Sequence, residues 1–202
     1  MVTKVDNLFE QWFNYYEEIS GKSNVNKHFQ IGDAVNLMIE GINYLTDNKC
    51  VWLPEYDEVA DWLSDNKSKG LLLMGSCGRG KSLLCTKVIP TIVSAHYGAN
   101  IICIDAPDIN RFDNKGNSCA SYHALLCIDD LGTESIIANN FGEKRNVFPE
   151  LVDEAEKKGR LLIVTTNLTT DELRQRYGER TLDRLKAITR PVLCIGDSMR
   201  GG

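Results

Sequence analysis

Residues 51–202 predict an α/β domain built on a parallel sheet with helices on both faces. Two observations predict it. Five short, uninterrupted apolar runs alternate with stretches of helical period, the pattern of strands buried on both sides. A glycine-rich turn also lies between the first of these runs and a helix, where such folds bind anions. The runs are "LLLM", "IICIDA", "ALLCIDD", "LLIVTTN" and "PVLCIG". At 202 residues and 43% hydrophobic, the chain is long enough for one sizeable core and a small appendage.

Taken in order, Leu8, Trp12, Tyr15, Tyr16 and Ile19 recur at helical spacing. A second helix follows Asp33 as its cap, with Val35, Met38, Ile39, Ile42 and Leu45 on one face. Residues 1–50 thus read as a helical appendage, packed on its own domain or docking a partner, and 51–202 as the α/β domain. "LPEYDEVADWL" opens a third helix with Pro54 in its first turn, and "NKSKG" ends it. The helix after the glycine-rich turn, "KSLLCTKVI", meets Pro90, which predicts a kink or an end there. Later in the chain, Thr169-x-x-Glu172 is a capping box that starts a further helix.

The net charge of −5 argues against the strongly basic footprint of a protein that lives on duplex DNA, though not against a local basic strip. Seven cysteines without C-x-x-C spacing and three isolated histidines read as reduced thiols and ordinary side chains, not as a metal centre. No apolar run approaches the roughly 18 residues of a membrane span, and no signal layout opens the chain, so a cytoplasmic protein is expected.

Gly75-Ser76-Cys77-Gly78-Arg79-Gly80-Lys81-Ser82 fits G-x-x-x-x-G-K-[ST]. Its glycines permit backbone angles that let consecutive N–H groups face phosphate oxygens, and the following helix adds its positive end. Lys81 then reaches the β- and γ-phosphates of ATP, and the Ser82 hydroxyl ligates Mg²⁺. Asp129 and Asp130 end the third apolar run. One carboxylate there suits Mg²⁺ held through water, and its neighbour suits orienting a water for attack on the γ-phosphate. Glu134, one loop further, either assists or is merely exposed. Asn167, at the tip of the fourth run, is placed to hold that water or simply to form a turn. Arg174, Arg176, Arg180, Arg184, Lys186 and Arg190 form a cationic series in an acidic chain, with Arg180 and Arg184 on one helical face. Such a series is a solvated face, or a source of guanidinium for phosphoryl transfer.

In this order, "GSCGRGKS", "LLCIDDLGTE", "LLIVTTNL", "YGERTLDRL" and "GDSMR" resemble the AAA+ ATPases of the bacterial helicase-loader group, DnaC/DnaI-type, and the related IstB-type transposition helpers. The resemblance covers roughly residues 51–200. It implies a P-loop fold of AAA+ type, with a five-stranded parallel sheet and no full lid domain. It also implies roles: Lys81 and Ser82 as Walker A residues, Asp129 for the metal, Asp130 in the catalytic-base position and Asn167 as sensor 1. Arg184 matches an arginine finger reaching a neighbouring subunit's ATP, and Arg200 the sensor 2 arginine. The partners implied are a replicative helicase, further copies of the chain and single-stranded DNA. Three features depart from the pattern. Asp130 replaces a more usual Glu, Arg79 puts a long cation into the phosphate loop, and Ala106–Tyr122 is short for an additional DNA-binding helix. The alternatives are a transposition helper and, from another class, a P-loop nucleotide or small-molecule kinase, which needs an acceptor pocket and a lid closing in cis.

Overall fold

The computed structural model describes residues 27–109, 125–135, 138–140 and 143–199. The helix expected over Leu8–Ile19, most of Ala106–Tyr122, and Arg200 lie outside the described residues. Helix α1 (Ala34–Leu45) and helix α2 (Pro54–Ser64) precede strand β1 (Gly70–Gly75). Helix α3 follows in three pieces, Lys81–Leu83, a π turn at Leu84–Val88, and Ile89–Tyr97. Next come β2 (Ile102–Asp105), β3 (Leu125–Leu131) and a small hairpin of β4 (Ala138–Asn140) and β5 (Glu143–Arg145). The chain then runs through α4 (Val147–Lys158), β6 (Leu161–Thr166), α5 (Thr170–Tyr177), α6 (Glu179–Ile188) and β7 (Thr189–Cys194).

The five expected apolar runs form one sheet of order β2-β3-β6-β1-β7, parallel throughout. Alternation within each strand separates two cores. Leu71, Leu73, Cys127, Ile163 and Val192 face one way, under α1, α2 and α3. Leu72, Met74, Ile128 and Val164 face the other, under α4, α5 and α6. The inner strands β3, β6 and β1 are covered on both faces and so show no polar alternation in sequence, whereas the edge strand β7 leaves Pro191 and Leu193 exposed.

The appendage boundary expected at residue 50 does not divide the core. Phe29, Ile31, Ala34, Met38 and Ile42 belong to the same apolar cluster as the strand residues Leu71 and Leu73. The α1 stripe is also rotated from the expected one: Ala34, Met38 and Ile42 are buried, whereas Val35 is exposed. Asp33 does sit at the N-cap, but at a left-handed φ of 58° and without a side-chain cap bond. Its carboxylate accepts from the Asn36 amide instead.

Pro90 does not end α3 but interrupts its regular turns. The helix widens to a π turn at Leu84–Val88 just before it, and Pro90 occupies the start of the next α segment. The missing Pro90 N–H leaves carbonyls one turn back without their usual donor. The Cys103 thiol on β2 approaches the Cys85 and Thr86 oxygens there, at 3.8 Å each. Pro54 and the Thr169 capping box stand as expected, each opening its helix.

Candidate functional site

β1 lies between β6 and β7, neither of them adjacent to it in sequence. The chain leaves its carboxyl end for the far side of the sheet, which makes the turn after β1 a topological switch point, the usual place for a ligand crevice. That turn is the glycine-rich loop. Gly78 and Gly80 hold φ of 75° and 77°, a region that side chains rarely adopt. A Cβ on Gly80 would stand 2.2 Å from the Tyr56 hydroxyl, and one on Gly78 would stand 2.0 Å from Ser198 Oγ. The two glycines thus let Tyr56 and Ser198 pack directly on the loop.

The cleft has a volume of about 490 Å³. The phosphate loop and its neighbours line it with Gly78, Gly80, Lys81, Ser82, Asp130 and Asn167, and Cys77 and Thr165 also reach it. Ile42, Thr46, Lys49, Val51, Tyr56 and Met199 complete the lining. Ile42 is on α1 and Thr46 and Lys49 follow it, so the segment before residue 51 helps to build the site.

Lys81 is buried, and burial holds its pKa below the ordinary lysine value against the pull of nearby Cys194, Cys77, Asp130 and Asp129. Its ammonium donates to Gly75 O at 2.8 Å, Ser76 O at 2.7 Å and Asn167 Oδ1 at 2.8 Å. The Asn167 amide in turn donates to Asp130 Oδ1 at 2.9 Å. One asparagine thus joins the loop lysine to the β3 carboxylate, linking residues 81, 130 and 167 through a single side chain.

The carboxylates are presented by a β-bulge. Ile128 pairs with Val164 and Leu131 with Thr166, so Asp129 and Asp130 together oppose Thr165 alone. Asp130 takes the extra place at φ 56°. Its N–H, out of register with the ladder, donates to Thr165 Oγ1 at 2.8 Å, and the same hydroxyl donates to Asp129 Oδ1. Thr165 therefore orients both aspartates at once. Nothing in "LLIVTTN" marks this threonine out, because its role depends on a bulge in another strand.

Two expected site residues are turned elsewhere. Glu134 does not enter the cleft: its side chain is buried and accepts from Gly132 N at 2.8 Å, from Arg176 Nε at 3.3 Å and from the Tyr177 hydroxyl. Burial and this carboxylate push the Tyr177 phenol well above its ordinary pKa. Glu134 thus ties the loop after β3 to α5, with its carboxylate engaged away from the cleft. Arg79 does not extend toward a phosphate. Its guanidinium donates to both Glu55 oxygens, at 2.7 and 2.9 Å, and to Asp197 O at 3.2 Å. The Tyr56 hydroxyl donates to its carbonyl at 3.0 Å.

Arg184 lies away from this chain's own cleft. It pairs with Asp153 and, at 3.1 Å, with Glu156 on α4, and Asp153 is held below the usual carboxylate range by it. Arg180 is 74% exposed in its side chain and reaches Asp153 only at 3.7 Å.

Among the described residues no group of three or more His, Cys, Asp or Glu side chains could hold a metal ion by itself. The oxygen donors of Ser82, Asp129 and Asp130 suit Mg²⁺, which dehydrates reluctantly and is usually held by one or two carboxylates together with substrate phosphates. Among the described residues no helix is long and apolar enough to cross a membrane.

No family model and no curated protein matches the sequence. Solved structures do match the fold. The crystal structure of DnaI aligns with a TM-score of 0.53 at 21% identity, over 65% of this chain and 73% of that one. The DnaC helicase loader gives 0.53 at 18%, over 92% and 99%. AMPPCP-bound DnaA from Aquifex aeolicus gives 0.54 at 18%, over 75% of this chain and 49% of that one. The five-stranded parallel sheet, the loop after its interior strand β1 and these likenesses together give an α/β P-loop fold, shared with the DnaC helicase loader and with DnaA.

Proposed function

We propose that the chain binds and hydrolyses ATP with Mg²⁺ and acts in DNA replication as a loader of a replicative helicase. The observation that carries the ATPase reading is the relay from Lys81 through Asn167 to Asp130 at the mouth of the phosphate loop. It sets a cation for the phosphates, an amide for an attacking water and a carboxylate for that water's proton on three elements around one cleft. The likeness in fold to the DnaC helicase loader and to DnaI supports the loader role.

Bound Mg²⁺ would neutralise charge on the β- and γ-phosphates; Ser82 and Asp129 are the residues to hold it, Asp129 through water. Lys81 would leave the Gly75 and Ser76 carbonyls for the phosphate oxygens. Asn167 would orient the water, and Asp130 would take its proton through the oxygen not engaged by Asn167. Water as the acceptor distinguishes this site from a kinase, which needs room and donors for a second substrate. The apolar wall formed by Ile42, Val51, Tyr56 and Met199 suits the nucleotide base.

Arg184 would serve a neighbouring subunit's ATP and Arg200 its own, with the N-terminal segment docking the helicase. An arginine finger is worth roughly 10³–10⁵ in rate. Phosphate release per subunit should therefore climb steeply with protein concentration, and Arg184→Ala should remove the climb while leaving ATP affinity unchanged. Concentration-independent turnover rules out the shared site. Lys81→Ala should abolish ATP binding, and retained affinity in that variant refutes the phosphate-loop assignment. Co-purification with a replicative helicase in the presence of ATP tests the loader role; capture of a transposase instead supports the helper reading.

A further inference from the structure

The phosphate loop carries two cations that do opposite things. Lys81 faces the cleft, whereas Arg79 faces the back of the loop, where its side chain is only 10% exposed and meets Glu55 at 5%. A loop whose purpose is to bind phosphate gains nothing for that purpose from a guanidinium neutralised by a buried carboxylate. The pair must be explained by what it joins.

It joins three segments far apart in sequence. Glu55 is in the first turn of α2. Arg79 is in the loop, and its remaining contact is with the carbonyl of Asp197, beyond β7. The end of β7 and the segment after it are bound to the loop at two further points: Ser76 N donates to Cys194 O at 2.8 Å, and Met199 N donates to Gly78 O at 2.9 Å. Gly196 holds φ of 133°, and a Cβ there would come within 2.9 Å of Arg79 Nη1, so the chain passes directly over the guanidinium. Met199, at the end of this segment, forms part of the cleft wall. The neighbouring Tyr56, also on α2, seals the loop at Gly80.

We propose that Glu55, acting through Arg79, is a positioning residue of the nucleotide site: the pair straps residues 195–199 across the phosphate loop, setting both the loop's turn and the wall that Met199 contributes. This rests on the reading that the cleft binds ATP. A planar fork with five fixed donors is suited to the task, since it can engage a carboxylate with two nitrogens and a carbonyl with a third. A lysine in its place has the charge but not the fork. Glu55 itself touches no nucleotide, so its effect is on geometry alone.

The test separates positioning from mere stability by removing both charges together. Replacing a buried ion pair by apolar residues of similar size often leaves stability unchanged or raised. In Glu55→Leu/Arg79→Met, the melting temperature without nucleotide should stay at or above that of the wild type. Exchange of the Met199 amide hydrogen should nonetheless accelerate by on the order of tenfold or more, because its hold on Gly78 O loosens. The dissociation constant for mant-ATP with Mg²⁺ should rise by on the order of tenfold or more as loop and wall lose their register. A folded double variant that binds mant-ATP as the wild type does, with Met199 still protected, overturns the proposal. Arg79→Lys decides the matter should the double variant fail to fold: weakened binding with faster Met199 exchange supports the strap, and unchanged binding overturns it. The ATP reading fails separately, if the wild type does not bind mant-ATP or Lys81→Ala binds it equally well.

Discussion

Thr165 offers a sharp test of how the site is held, because its hydroxyl is engaged twice. It accepts from Asp130 N–H at 2.8 Å and donates to Asp129 Oδ1, and the residue is buried. Thr165→Val keeps the shape and removes both bonds. An orphaned buried N–H costs about 1–3 kcal/mol, and a hydrogen bond to a charged group is worth about 1.5–3. Asp129 and Asp130 are both half-buried, so water offsets part of each loss. The expected net cost is about 2 kcal/mol, which for a domain of this size lowers Tm by about 4–8 °C. Thr165→Ser is the control: it keeps the hydroxyl and loses one methyl group, worth about 1 kcal/mol. Urea unfolding gives the free energies, and mant-ATP titration with Mg²⁺ or with EDTA gives the function. The valine variant should lose much of the Mg²⁺ dependence of ATP affinity, since Asp129 is no longer oriented, whereas the serine variant should retain it. Equal losses in the two variants, or a valine variant as stable as the wild type, would refute the claim that this hydroxyl organises the bulge.

Asp130→Asn should bind ATP and release phosphate at a small fraction of the wild-type rate; full turnover would move the base elsewhere, and the buried Glu134 is not placed to receive the role. Thr169→Ala removes the capping box of α5 and should cost about 1 kcal/mol in urea unfolding, with no change in Thr169→Ser. Asp153, Glu172 and Asp65 are held below their ordinary pKa, chiefly by hydrogen bonds from Arg184, the Thr169 backbone and His28 respectively. Their folded values lie below their unfolded ones, so their contribution is complete above the ordinary carboxylate range. It is lost as pH falls through the depressed folded values. Unfolding free energy should therefore fall steadily below about pH 4.5, and Asp153→Asn should flatten that acid limb. An acid limb of unchanged slope in the variant would show that the pair with Arg184 contributes nothing.

The five strands, the helix opened by Pro54, the capping box at Thr169 and the phosphate loop were all legible in the sequence. Each is written within about ten consecutive residues, as an apolar run, a residue that fixes φ, or a spacing that closes a local hydrogen bond. Lys81, Asp130 and Asn167 could likewise be found from motif and strand end, and the structure brings those three together. Their convergence follows from the topology, because ligands gather where parallel strands end. The rotation of the α1 stripe was less legible, since a helix with apolar residues on several sides is oriented by whatever packs on it. Of the kink or end expected at Pro90, the helix shows no end: a wider turn at Leu84–Val88 absorbs the proline and the helix continues.

What the tertiary structure alone decided are the contacts between residues far apart in the chain. Glu134 and Arg176 stand 42 positions apart, Arg79 and Asp197 118, and Asp130 and Thr165 35. No local pattern specifies which acid is buried against which arginine; that follows from where the sheet and its two helical layers place the side chains. A charge withdrawn from water must find a partner wherever the packing puts one. For that reason Glu134 became a clamp, Arg79 a strap and Thr165 the support of two carboxylates. The amino-acid order determined the architecture and the position of the phosphate loop, whereas packing decided which polar side chains face the cleft and which hold it in place.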